Sequence, residues 1–408
     1  MRQLIPTKES AMLNLKRNPI LVSTIALTFI VIVASCGGPA DVEDTPVVTE
    51  IPTAADFHAY KAYHHARYME TTAAQAGGTN LLLHTKELPT EGTDPVVTPA
   101  LDHLYSKAVI DLTSGPVYLN IPDDIDDRYW SLHITDQEHY TIFDEIRPVG
   151  TYVFVRSGEN MDVEDGATVI ECPEYYPHLF IRVQVKTPKD MVNTLAVQER
   201  ISLSGVSKPL EIDNYIQFTL DTHDVYPENE GILETVVDFD DADYRRVTDY
   251  LFGVAFTFPS NLGMFGPIDS PEPNSHDPAS RAAAIFGHLG LPADHAIYFP
   301  NFVNCEGEVL NGDKTEIYHF AYEPIGVKEF WSITRYSAIT RNTITGKNDL
   351  FNAYNTEPDD DGNITITFSV EDPEDGTYWM PVNAGEPYYF VVRYYKADLE
   401  NLPPTHCE

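Results

Sequence analysis

The residues whose types and spacing could do chemistry crowd into one stretch, Asp102 to Asp136. It holds three carboxylates that recur through the strand-like pattern, Asp102, Asp111 and Asp136, beside His103, Tyr105 and His133. Two carboxylates with a water between them can hydrolyse a glycosidic or amide-like bond, one acting as acid and the other as base. Arg128 and Arg393 have the planar fork that grips an anionic substrate group. On this reading Asp102, His103, Asp111 and Asp136 are catalytic candidates. Tyr105, Arg128, His133, Trp331, Tyr336, Asn342, Trp379 and Arg393 are binding candidates. A structural reading covers the same residues. Asp111 opens a Leu-Thr-Ser-Gly-Pro turn, Arg128 pairs with a neighbouring Asp, and Trp130, Trp331 and Trp379 anchor cores.

Other chemical signatures fail. The chain has no G-x-S-x-G elbow, no glycine-rich phosphate loop and no H-E-x-x-H. No C-x-x-C pair exists, which argues against a zinc ribbon or a thioredoxin-like site. His64 and His65 point in different directions on a helix, and His58, His64 and His65 read as packed or solvent-facing residues and not as metal ligands. The acidic runs Asp123–Asp127, Asp238–Asp243 and Asp359–Asp361 offer oxygen ligands that suit Ca2+. None has the EF-hand spacing, so surface loops are the primary reading and no cofactor is expected. The 63 Asp and Glu against 26 Lys and Arg give a net charge of -37. Such a surface repels nucleic acid and suits solvation in salt or the binding of cations.

The elements that would position these residues alternate between helical and extended patterns. Ala54 to Ala76 has Phe57, Tyr60, His64 and Tyr68 on one helical face, and Gly77-Gly78 stops it. Val117, Leu119 and Ile121 then alternate with polar neighbours, as do Trp130, Leu132 and Ile134, and Pro122 to Asp127 forms a polar turn joining them. Tyr152–Arg156 and Leu179–Val185 continue the period. Helical patterns follow at 190–203, 240–256 and 278–289. Alternation returns at 317–322, 330–336, 364–370 and 388–395. An echo links the two extended regions: Arg128-Tyr129-Trp130-Ser131-Leu132 parallels Glu329-Phe330-Trp331-Ser332-Ile333. Each lies about a dozen residues after a Tyr-led strand, at Tyr118 or Tyr318.

The fold class expected is mainly β with helices (α+β), as two β-sandwich or jelly-roll-like units with helical segments between and before them. The segments expected are a signal at 1–35, a tether at 36–52, a helix with the first β unit at 53–205, a linker with helices at 206–292 and a second β unit at 293–408.

Two strings carry a family resemblance. Asp102-x-Leu104-Tyr105-Ser106, Asp111-Leu112, Gly115-Pro116, Pro122 and Arg128-Tyr129 resemble the bacterial domain of unknown function 1254. Phe330-Trp331-Ser332-Ile333-Thr334-x-Tyr336, Asn342, Asp361-Gly362, Trp379-x-Pro381 and Arg393-Tyr394 resemble domain of unknown function 1214, its usual C-terminal partner. The resemblance implies two sandwich-like units, similar in architecture to peptide N-glycosidases, and carries no activity with it. The chain departs from the family pattern at Ala100-Leu101-Asp102-His103, where relatives commonly have Asn-x-Asp-Thr. It departs again at Tyr378-Trp379-Met380-Pro381, where they have Asn-Trp-Leu-Pro.

At the N-terminus, Lys16-Arg17 precede the largely apolar run Ile20–Val33, and Val33-Ala34-Ser35-Cys36 closes it. This is the plan of a secretory signal. The run is shorter than the roughly 20 residues a spanning helix needs. The Val-Ala-Ser-Cys ending resembles a bacterial lipobox, which makes Cys36 the lipid attachment site. Once Cys36 is lipidated, Cys172, Cys305 and Cys407 allow at most one internal disulfide. The functional expectation is an exported cell-envelope protein, lipid-anchored to a bacterial membrane and working as a binding or accessory module for an unidentified small molecule or glycan. The alternative is a hydrolase of a glycan, glycopeptide or small amide or ester. Replacing Cys36 by Ser is expected to release the protein from the membrane fraction or to stop its maturation. Unchanged membrane association would contradict the anchor.

Overall fold

The computed structural model describes residues 51–89, 97–222, 232–236, 238–255, 258–270, 277–287, 289–344 and 347–403. The signal expected at 1–35, Cys36 and Cys407 lie outside them. Among the described residues no helix is long and apolar enough to cross a membrane.

The chain enters through helix α1 (Ala54–Ala76), with the bounds its sequence pattern predicts. Thr53 starts it with a capping box. Its Oγ1 accepts from the Asp56 amide, and the Asp56 carboxylate accepts from the Thr53 amide at 2.7 Å. Gly77 ends it in the left-handed region at φ 90, where a side chain would strain the backbone.

The first β unit follows. One sheet contains β1 (Leu83–His84), β2 (His103–Val109), β4 (Trp130–Thr135), β5 (Thr141–Ile146) and β8 (His178–Gln184), in the order β1-β2-β8-β4-β5. The other contains β3 (Val117–Ile121), β6 (Gly150–Arg156), β7 (Thr168–Cys172) and β9 (Ser202–Ser204), in the order β7-β6-β3-β9. Leu132, Ile134, Leu179 and Ile181 of the first sheet face Val117, Leu119, Phe154 and Ile170 of the second across one core. Successive side chains on a strand take opposite faces, and the apolar half of each strand builds this sandwich. The acidic turn 122–127 is not a hairpin, because β3 and β4 belong to different sheets and the turn carries the chain between them.

Helices α2 (Met191–Gln198), α3 (Tyr215–Thr222), α4 (Asp241–Ala255) and α5 (Pro278–Phe286) come next. The helical pattern at 190–203 is therefore shorter than its sequence suggests, since Ser202–Ser204 pairs with β3 instead. α1, α4 and α5 pack through Phe57, Tyr60, Val247, Leu251, Ala282 and Ile285.

The second unit repeats the first. Its sheets are β10-β16-β12-β13 and β11-β14-β15. The strands are β10 (Ala296–Asn301), β11 (Glu316–Ala321), β12 (Trp331–Ser337), β13 (Leu350–Asn352), β14 (Asn363–Ser369), β15 (Tyr378–Pro381) and β16 (Tyr388–Tyr395). Strand for strand, β2-β8-β4-β5 corresponds to β10-β16-β12-β13 and β7-β6-β3 to β15-β14-β11. In both units one pair of the second sheet, β6 with β7 and β14 with β15, is parallel. The register agrees as well: Ser131 lies opposite Arg182 and Tyr105 opposite Arg182, while Ser332 lies opposite Arg393 and Tyr298 opposite Arg393. The Trp-Ser echo thus marks equivalent strands. Tyr118 and Tyr318 do not match, because Tyr318 points into its core and Tyr118 does not. Tyr129, Leu291, Ala296, Phe330 and Tyr395 join the units, with the Phe330 and Tyr395 rings stacked 4.0 Å apart.

Arg128 fixes the entrance to β4. It forks onto Asp126 at 2.7 Å through both Nε and Nη2, meets Asp190 at 3.1 Å, and donates to the Gln184 carbonyl and the Thr194 hydroxyl. Asp126 is half exposed, but the Gln184 carbonyl and Thr194 hydroxyl that Arg128 satisfies are buried and would be left without that donor. Arg128→Met is expected to lower unfolding stability by about 2–4 kcal/mol in urea titration. A change within experimental error would show that the clamp is dispensable.

Candidate functional site

Strands β2 and β8 are buried along their whole length, so both of their faces are covered. One face carries the apolar residues of the sandwich core. The other carries His103, Tyr105 and Lys107 on β2 and Phe180 and Arg182 on β8. In the second unit β10 and β16 turn the equivalent face, with Tyr298, Pro300, Val391, Arg393 and Tyr395, toward the same space. Between these two faces, under Phe252, Ala283, Phe286 and Leu289 of the helical layer, lies a cavity of about 200 Å3. Its wall is mostly aromatic and aliphatic. Lys107, Arg182, Arg393 and His103 line it, and no Asp or Glu among the described residues does.

Five of the sequence candidates, Asp102, His103, Tyr105, Tyr336 and Arg393, meet here. His103 Nδ1 lies 2.7 Å from Asp102 Oδ1, an ion-pair distance without the alignment of a linear hydrogen bond, and its Nε2 has no partner among the described residues. The Tyr395 hydroxyl donates to Asp102 at 3.2 Å. Burial pushes the Asp102 carboxyl up, but the charges of His103 and Arg393 more than offset it and hold the group at about 2. Arg393 donates to the Thr334 hydroxyl at 3.1 Å, the Thr98 carbonyl at 3.0 Å and the Tyr336 hydroxyl at 2.9 Å. Tyr336 in turn donates to the Pro99 carbonyl. Tyr105 lines the cavity beside them.

The other candidates lie elsewhere. Asp111 sits beyond the far end of β2, where its Oδ1 accepts from the Thr113 amide at 2.9 Å and its Oδ2 lies 3.8 Å from Lys208. Asp136 accepts from the Glu138 and Tyr140 amides at 2.9 Å and so shapes the turn after β4. His133 bonds Thr141 within the sheet at 2.9 Å. Trp331 is a core anchor whose indole donates to the Tyr322 carbonyl. Trp379 donates to the Ser369 carbonyl on the outer sheet, and Asn342 closes the loop after β12 through its carbonyl. Lys107 and Arg182 did not stand out in the sequence. The available signal was one charged residue inside an alternating apolar strand, as in Phe180-Ile181-Arg182-Val183.

Outside the cavity, Asp144, Asp294 and His295 bring one ligand atom each within 4.8 Å of one another, where the two units meet. This set can coordinate a divalent ion such as Ca2+, although an imidazole donor suits a transition metal better. His295 already pairs with Asp144. The acidic loop after β3 is instead bound to the protein's own cations: Asp124 pairs with Arg200, Asp126 with Arg128 and Asp127 with Lys186. Cys305 is disulfide-bonded, and Cys172 is a free buried thiol.

Comparison with known proteins agrees with this division. Residues 79–205 match the family model described as protein of unknown function DUF1254, and residues 295–399 match that described as protein of unknown function DUF1214. Among solved structures, the chain is similar to the VPA0106 protein from Vibrio parahaemolyticus. The identity is 19% over 86% of this chain and 95% of that one, with a TM-score of 0.62, a likeness of fold. An uncharacterized protein from Burkholderia cenocepacia aligns at 11% identity over 95% and 93% of the two chains, with a TM-score of 0.48. A search of curated proteins finds no match.

Histidines packed behind the cavity make the fold acid-sensitive. His178, buried against His65 and Tyr68, is held at about 3 by burial and by Lys107. Burial also depresses His133 and His139. An unfolded His takes up its proton near pH 6.5, whereas these do not, so the unfolded state binds more protons and stability falls as pH drops from about 7 toward 4. His178→Phe, which keeps the ring packing and removes one proton site, is expected to flatten that slope by about 1.4 kcal/mol per pH unit. Urea titrations at pH 6, 5 and 4 read it, and an unchanged slope would contradict the assignment.

Proposed function

We propose that the chain is a cell-envelope binding module, tethered through a lipid on Cys36, that takes a small amphipathic molecule into the cavity between its two β units. The observation that carries this reading is the cavity itself, which is lined by both units and the helical layer and open on one side, largely apolar and aromatic, with few polar groups at fixed places. Ligand sites have this character and favour such junctions. The lining favours an apolar body over a glycan, whose hydroxyls would need many more polar partners.

Hydrolysis is a second reading, supported by the contact of His103 with Asp102 and by the unpartnered His103 Nε2 at the cavity wall. An imidazole oriented by a carboxylate can activate water. The distance of Asp111 and Asp136 from the cavity weighs against a two-carboxylate mechanism, and binding is the better-supported function.

Native mass spectrometry and thermal shift with a panel of amphipathic small molecules test both readings. A ligand at about 100 times its Kd is expected to add about 2.7 kcal/mol of stability. Ala100→Trp, which fills the wall, is expected to abolish that shift. A shift that survives Ala100→Trp would place binding elsewhere. Turnover of an ester by the wild-type protein, lost in His103→Gln, would replace binding by hydrolysis.

A further inference from the structure

Resting on the reading of the cavity as a ligand site, we infer that its ligand is a monocarboxylate with an apolar body, and that the carboxylate is held by Arg182. In a chain with 63 acidic and 26 basic residues, the cavity wall carries Lys107, Arg182 and Arg393 and, among the described residues, no acid. Such a reversal concentrates positive potential in a low-dielectric space, where it attracts anions far more strongly than on the surface.

The repeat then identifies which cation is uncompensated. Arg182 and Arg393 are equivalent, each lying opposite a Ser on one side and a Tyr on the other. The residue just before β2 is Asp102, and it reaches across the seam to the neighbourhood of Arg393, whose charge it shares with His103. The residue just before β10 is His295, an imidazole already paired with Asp144. Arg182 therefore lacks the carboxylate that its twin has. It is 6% exposed; Nη2 donates to the Leu289 carbonyl and the guanidinium lies 4.6 Å over the Phe180 ring. Nη1 has no hydrogen-bond partner among the described residues. A buried cation without a counter-ion is strongly disfavoured, and a bound anion removes the imbalance.

Nη1, the buried guanidinium nitrogen without a partner among the described residues, suits a monoanion. A phosphate dianion would call for more donors than this wall offers, and the aromatic remainder of the cavity takes the apolar body.

Calorimetry on the purified protein with two matched pairs, octanoate against 1-octanol and 3-phenylpropionate against 3-phenylpropanol, tests the inference. Each acid is expected to bind at least about tenfold more tightly than its alcohol. Arg182→Met is expected to bring that ratio close to one. Ser131→Asp places a carboxylate opposite Arg182 on the neighbouring strand and is expected to have the same effect with the arginine retained. Equal binding of acid and alcohol to the wild-type protein, a preference that survives both substitutions, or tighter binding of octyl phosphate than of octanoate would each overturn the inference and leave the cavity reading intact. Failure of all the probes to bind would overturn both.

Discussion

Burial of positive charge between two equivalent sheet faces is the constraint on which the rest of this structure depends. Both sandwiches turn an arginine-bearing face toward the other, and the helical layer lies over part of the space. A guanidinium can be removed from water only if hydrogen bonds and negative charge replace the hydration it loses. Arg393 has that replacement in three hydrogen bonds and the nearby Asp102 carboxylate. The seam residues follow from it, since Tyr395 touches Asp102 with its hydroxyl and stacks on Phe330 with its ring. Arg182 has the same position in the other unit with less support.

That asymmetry separates a structural role from a binding role for two otherwise matching residues. Asp102 occupies a position whose counterpart is His295, and His295 is turned toward Asp144. One half of the repeat is closed by its own charges and the other is open to an outside anion. The Asp144, Asp294 and His295 set lies on the open half, so the side of the seam that lacks an internal carboxylate at the arginine has one two strands away, Asp144, engaged with the His295 imidazole.

Much of the architecture was legible in the sequence because local rules and tertiary packing agree there. α1 has its cap, its stripe and its glycine stop, and the alternating strands β3 and β11 have one covered face and one freer face. β2 escaped notice because both of its faces are buried, which leaves no polar alternation to read. The Trp-Ser echo was a true marker of equivalent strands, and the more telling repeat, an arginine two apolar residues into Phe180-Ile181-Arg182 and Val391-Val392-Arg393, became visible only through the register. Asp102, His103, Tyr105 and Arg393 gather at one cavity, whereas Asp111 and Asp136 shape turns. Residue type alone cannot distinguish a carboxylate that caps backbone amides from one that faces a ligand. Arg182 and Lys107 act as cavity residues through the fold's placement of their strand face, which single-sequence spacing does not specify.

The ionisation of a bound carboxylate tests the account most directly. An apolar cavity alone raises a carboxyl pKa, whereas a neighbouring unpaired guanidinium lowers it. Titration of octanoate labelled with 13C at the carboxyl carbon, followed by NMR while bound to the protein, reads the sign of that shift. The account predicts a bound carboxyl that titrates below its value in free solution. A bound carboxyl that titrates above it would contradict the placement of the anion at Arg182.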